Sequence, residues 1–312
     1  MIARTVARRG ACALGIALLA VAAPATAQRV TWSSSLGYAE GAYVFSDTYR
    51  SISWLNSLTL NRGRFDLTAS WPILAQNGTV LSYVAGGAVP TGGPDNGAVR
   101  RRSAGQTVPV RPGRRGGNSR NIQGALGSVL AADTVPDSLS VAGTGAMEIR
   151  AGDPMFGATL ATFEGNGAVR SFGVEAWTKV PVTSVESGVG TGAWDYGAGA
   201  SLVLGNGRAL FFANATWWVL GDMPDLELRD ALFYSLALGV PIRGAWSLLT
   251  SASASTSIIA GSDPPVSAHL LVSRSLSDGA AFSLGAGVGL SESASDFTVS
   301  LGWTTRLLDA RR

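Results

Sequence analysis

The sequence predicts an all-β chain: a closed antiparallel transmembrane β-barrel of about 12 strands with a long irregular exterior loop. Three observations predict it. First, most of the chain falls into segments of about ten residues in which apolar and small or polar residues alternate, separated by turn residues. Second, the chain is poor in charge and rich in glycine: 14% of its 312 residues are charged and 40 are glycine, against averages of about 25% and about 7%. Third, past residue 27 no run of ~18 apolar residues exists, so helices cannot carry it across a bilayer.

The chain opens with "MIARTVARRGACALGIALLAVAAPATAQ". Arg4, Arg8 and Arg9 precede a short apolar run that ends in small residues, the pattern of a secretory signal peptide over residues 1–27, cleaved after Ala27. Residues 28–312 are then the barrel. Three early strands are read in "RVTWSSSLGYAEGAYVF", "SISWLNSLTLNRG" and "RFDLTASWPILAQNG". Nine follow from Gly152 onward. In the clearest of them Leu232, Tyr234, Leu236, Leu238 and Val240 alternate with Phe233, Ser235, Ala237 and Gly239. Between the two sets, residues 78–150 form a Gly/Pro/Arg-rich insertion without alternation, too long for an ordinary connection. Tight turns at "NRG", "GNGR" and "LSDG" alternate with longer connections such as "TSVESGVGTG" and "GDMPDLELRD". Short turns fit the periplasmic rim of such a barrel and longer loops the exterior.

A soluble β-sandwich also alternates, but it shows water a charged face. Here that face is mainly Gly, Ser, Ala and Thr. Trp194, Trp217, Trp218, Trp246 and Trp303 lie near strand ends, as in an interfacial aromatic girdle. In lipid the sheet must also close, because an open edge leaves backbone groups unpaired. The implied surroundings are outer-membrane lipid, lipopolysaccharide and the barrel-assembly machinery.

Few residues suggest chemistry. The only cysteine, Cys12, lies in the signal, so thiol chemistry is excluded from the rest. Without the signal the basic and acidic residues balance at 21 each, and no nucleic-acid partner is expected. "GVGTGAWDYGAGASLVLGNG" resembles a phosphate loop only in its glycines. A strand follows it rather than a helix, so its glycines read as a rim loop, an inner wall left free of side chains, and a turn. No cofactor or catalytic set is expected. Glu175, Lys179 and His269 fall on inward-facing parity and are the candidates for a charged lumen constriction. Arg100, Arg101, Arg102, Arg111, Arg114, Arg115 and Arg120 form an exterior basic loop suited to lipopolysaccharide or an acidic lumen lining. Asp153, Asp222 and Asp263 stand just before or near prolines. They read as turn starts, with calcium binding on one rim as the alternative.

Four stretches carry a family resemblance: "GRFDLTASWPIL", "WTKVPVTSVESGVGTGAWDYGAGASL", "GDMPDLELRDALFYSLALGV" and "GSDPPVSAHLLVSRSLSD". Their order resembles a family of outer-membrane transporters linked to the meta-pathway of phenol degradation, over Gly152–Leu307 and more loosely over the first strands. The resemblance implies a barrel and, by association, passive passage of small hydrophobic or aromatic compounds; separately, the lack of a His-containing cluster argues against an enzyme. The other function consistent with the sequence is a non-transporting, surface-anchored barrel that presents its basic loop for adhesion or envelope contact.

Overall fold

The computed structural model describes residues 28–45, 47–105, 145–276 and 279–310. The expected signal peptide lies outside the described residues, and so do Arg111, Arg114, Arg115 and Arg120. The strands are β1 (Gln28–Gly41), β2 (Tyr49–Arg62), β3 (Phe65–Gln76), β4 (Ser82–Val84), β5 (Gly87–Val89), β6 (Glu148–Ala151), β7 (Met155–Glu164) and β8 (Val169–Lys179), continuing with β9 (Asp195–Gly205), β10 (Leu210–Val219), β11 (Ala231–Pro241), β12 (Trp246–Ser255), β13 (Val266–Ser275), β14 (Ala281–Gly289) and β15 (Phe297–Ala310). Among the described residues of the insertion, a 3-10 turn at Gly93–Asp95 precedes a short helix, α1 (Gly97–Ser103).

Twelve strands, β1–β3 and β7–β15, form a closed antiparallel barrel. Each pairs with its neighbours in sequence, and β1 pairs with β15 from Gln28–Ala310 to Glu40–Phe297 to close the ring. At one rim the connections are short and use positive-φ glycines, as at Gly63 (φ 64°) and Gly207 (φ 85°). At the other rim the long loops gather.

Closure follows from what the outer face shows. Leu236 (51% exposed), Leu284 (53%), Leu270 (50%) and Val299 (45%) all point away from the barrel. Water would penalise such a continuous apolar band, whereas lipid accepts it. Within lipid every strand amide must pair, and the ring leaves no edge to do otherwise. One polar set interrupts the band near mid-height. Ser34 Oγ donates to Asn56 Oδ1 (3.0 Å), and Trp54 Nε1 donates to Ser34 Oγ (2.7 Å). Ser34 and Asn56 are each only 4% exposed, so the polar atoms satisfy one another away from lipid.

The adjacent tryptophans of β10 correct the girdle expected from sequence. Trp217 is 49% exposed and faces out, but Trp218 is 4% exposed and faces in. Neighbouring residues of a strand must point to opposite sides. Trp303 faces out and packs edge-on against Trp32, at 6.0 Å between ring centres.

The insertion is not wholly irregular. β4 and β5 make a hairpin, and β6 pairs Glu148–Ala151 with Ile73–Gln76, beyond the stretch of β3 that β7 occupies. With the other long loops it builds a hydrophobic core in the mouth: Tyr43, Phe45, Tyr49, Val80, Val84, Val99, Leu220, Met223, Leu226 and Ile259 are all buried there. The centre of burial thus lies in the loop-filled mouth and not between two sheets.

Candidate lumen site

Glu175, Trp177 and Lys179 lie on successive inward pleats of β8, and the structure gives them different surroundings. Lys179 is completely buried. Its Nζ lies 2.8 Å from Asp195 Oδ2 and 3.7 Å from Asp153 Oδ2, and donates to Thr191 Oγ1 at 2.7 Å. Asp153 is buried as well. Its Oδ1 accepts from the Val182 and Thr183 amides (2.9 and 2.8 Å) and from the Thr183 hydroxyl (2.7 Å). Asp195 Oδ1 accepts from the Gly221 amide at 3.0 Å. This corrects the expectation that Lys179 lines a charged constriction. It has the inward parity, but the long loops seal it into an ion-pair cluster that joins β8, β9, the start of β7 and two loops. Asp153 reaches the cluster because Gly152–Pro154 interrupts the run from β6 into β7.

Glu175, four residues lower on the same face, stays open. Asn214 Nδ2 (3.1 Å) and Thr216 Oγ1 (2.5 Å), both on β10, donate to its Oε1. The three polar groups lie on one side of a lumen cavity of about 320 Å³, which Ala85, Met155, Trp177, Trp218 and Phe233 also line. The volume is near the lower end of the ~300–1,000 Å³ usual for small-molecule sites. The tip of the β4–β5 hairpin reaches the cavity. Ala85 (φ 49°) and Gly86 (φ 83°) both take positive φ, as the two-residue turn of a hairpin requires. Without a glycine's freedom, Ala85 bears a strain of about 1–2 kcal/mol there. The hairpin is fixed to the rim loop by a 2.8 Å bond from the Tyr83 amide to the Val189 carbonyl.

The inner-wall glycines also differ from expectation. They do not leave the wall bare, because neighbours' side chains occupy the space they free. A Cβ at Gly157 would come within 2.4 Å of the Trp177 ring, and one at Gly197 within 2.9 Å of Trp218. The register sets Gly157 opposite Trp177 and Gly197 opposite Trp218. Glycine on one strand thus accommodates an indole from the next, and those indoles line the cavity.

His269 lies on the inward face of β13, away from this cavity. Its Nε2 is 2.9 Å from Ser267 Oγ, which is 2.9 Å from Ser253 Oγ. Among the described residues no carboxylate is hydrogen-bonded to His269 or to these two hydroxyls, the contact that would orient the imidazole in a nucleophile-activating set. Among the described residues no group of three His, Cys, Asp or Glu side chains gathers in a way that could hold a metal ion. Asp222 instead accepts from the Leu228 amide and Asp230 from the Leu220 amide, both inside one loop. Arg100, Arg101 and Arg102 lie on α1 at the mouth, and Arg100 pairs with Asp225 at 3.6 Å.

Two of the phenols in the mouth, Tyr43 and Tyr83, lie outside the twelve barrel strands. Burial, with a contribution from Asp296, pushes the Tyr43 hydroxyl up to about 12. Burial does the same to Tyr83, whose ring lies deep among protein atoms although part of its surface is accessible.

No family model and no curated protein matches the sequence. Solved structures do. An outer membrane channel from Pseudomonas putida F1 superposes with a TM-score of 0.55 over 92% of this chain and 97% of that one, at 12% identity. The CymD monoaromatic hydrocarbon channel (TM-score 0.38, 12% identity, 90% and 89% coverage) and the translocator domain of the autotransporter NalP from Neisseria meningitidis (0.40, 8%, 96% and 96%) superpose less well. The likeness to the Pseudomonas protein is one of fold. It agrees with the apolar outer band and the closed ring: the chain has the fold of an outer-membrane β-barrel.

Proposed function

We propose that the protein, cleaved after Ala27, is a passive channel of the bacterial outer membrane for small hydrophobic or aromatic compounds, its short turns in the periplasm and its long loops outside. The observation that carries this reading is the unfilled, aromatic-lined cavity inside the barrel. A barrel serving only as an anchor gains nothing from leaving such space, since filling it would add packing. Its neighbours in that setting are lipid, lipopolysaccharide and the assembly machinery. The link to a phenol meta-pathway rests on the sequence resemblance. The test is flux: purified protein in liposomes or planar bilayers passes small aromatic solutes above the protein-free background. Flux no higher than background overturns it.

The second reading is a non-transporting anchor that presents the basic segment. Arg100–Arg102 at the mouth favour it. Deleting residues 106–144 together with replacing Arg100, Arg101 and Arg102 by glutamine removes the basic segment, spares β4 and β5, and separates the two. Lost surface binding with unchanged permeability identifies the anchor, and changed permeability the channel.

A further inference from the structure

Glu175 is a carboxylate inside the barrel without a counter-charge. No arginine, lysine or histidine among the described residues lies within ion-pair distance of it. Its Oε1 is held by Asn214 and Thr216, and no described residue donates to Oε2. The residues that line its cavity carry no positive charge, and three of them, Trp177, Trp218 and Phe233, are aromatic. Four residues up the same strand face, roughly 13 Å away, stands the cluster of Lys179 with Asp153 and Asp195. That cluster holds two carboxylates to one ammonium, so it supplies no net positive charge to offset Glu175. An ionised carboxylate only accepts hydrogen bonds, and aromatic rings attract cations over their faces.

We infer that the lumen cavity is a binding site for small organic ammonium ions, with the ammonium on Glu175 Oε2 and the apolar body against Trp177 and Phe233. This deepens the channel reading and rests on it, since it assumes that solutes reach the lumen. An anion meets an uncompensated carboxylate there, and a neutral molecule forgoes the charge attraction.

The experiment compares benzylammonium, benzyl alcohol and benzoate, three solutes of similar body that differ in charge. Binding to the mature barrel in detergent is followed by titration calorimetry, and flux by liposome assay. The expected order is benzylammonium about ten-fold tighter than benzyl alcohol, with benzoate undetected. Glu175→Gln, which keeps the acceptor and removes the charge, brings benzylammonium down to the level of benzyl alcohol. Equal affinities for the three in the unaltered protein overturn the inference, and so does a preference that survives Glu175→Gln. The first comparison needs no variant, so a folding defect in the variant does not rescue the idea. Flux without charge preference defeats the site and leaves the channel standing. Charge-selective binding without any flux supports the site and defeats the channel.

Discussion

Glu175 and Lys179 occupy the same face of the same strand, yet one borders an open cavity and the other is sealed in an ion cluster. The difference comes from what lies above them. The long loops of the mouth pack all round Lys179, whereas of the mouth only the tip of the β4–β5 hairpin reaches the cavity beside Glu175. Strand parity decides the direction in which a side chain points. What covers it is decided by loops distant in sequence, and that cover determines whether a charge holds the structure together or stays available to a solute.

Breaking the sealed cluster should have the largest effect. Lys179→Met leaves two buried carboxylates facing each other, and removing one partner of a buried pair costs about 3–5 kcal/mol. The expected result is a lower guanidinium midpoint and protease cutting in the long loops, read by the heat-dependent gel shift of the folded barrel. An unchanged midpoint would mean that the cluster is open to water.

Raising the pH tests the same mouth more gently. Tyr43 and Tyr83 titrate near 12 when packed, against about 10 when released. Below pH 10 both are neutral in either state, and their contribution to packing is complete. As the pH climbs from about 10 to 12, only the released ring ionises, so the packed mouth loses stability, on the order of 2 kcal/mol for Tyr43. Protease cutting at the mouth should therefore rise over that window while the barrel's strand signal persists. Cutting that is flat to pH 12 would show that the two rings are not held there.

The smallest effect is expected at the open cluster. Glu175→Gln keeps an oxygen for Asn214 and Thr216 and removes only a charge that borders the cavity, so the unfolding free energy read from guanidinium denaturation should change by less than about 1 kcal/mol. A loss as large as that of Lys179→Met would erase the contrast between the two sites.

Most of the barrel was legible in the sequence because strand period and turn residues are local signals. Alternation from Leu232 to Val240, or from Phe282 to Val288, needs no knowledge of partners. The sealed cluster was not legible. Gly152-Asp153-Pro154 reads as the start of a turn, and nothing near it reveals that its carboxylate meets a lysine of the next strand. Asn214 and Thr216 went unnoticed among the small polar residues of an inner face, and only their register with β9, one strand from Glu175, brings them together. Trp218 is different, since its place beside an outward Trp217 already fixed its direction. The glycines opposite Trp177 and Trp218 show a related limit. A glycine in the sequence signals space, but only the pairing of strands shows which neighbour uses it.

The seam between β1 and β15 has a consequence for the order of events in assembly. Ser33 and Thr304 share a 3.1 Å hydrogen bond across it and are separated by 271 residues of sequence. Such a contact cannot form early, because so long a stretch of chain must first be brought round. Until β15 arrives, β1 presents a row of unpaired amides, which lipid does not tolerate. The first strand must therefore wait in water or against a temporary partner, and the chain's last strand decides when the bilayer can be entered.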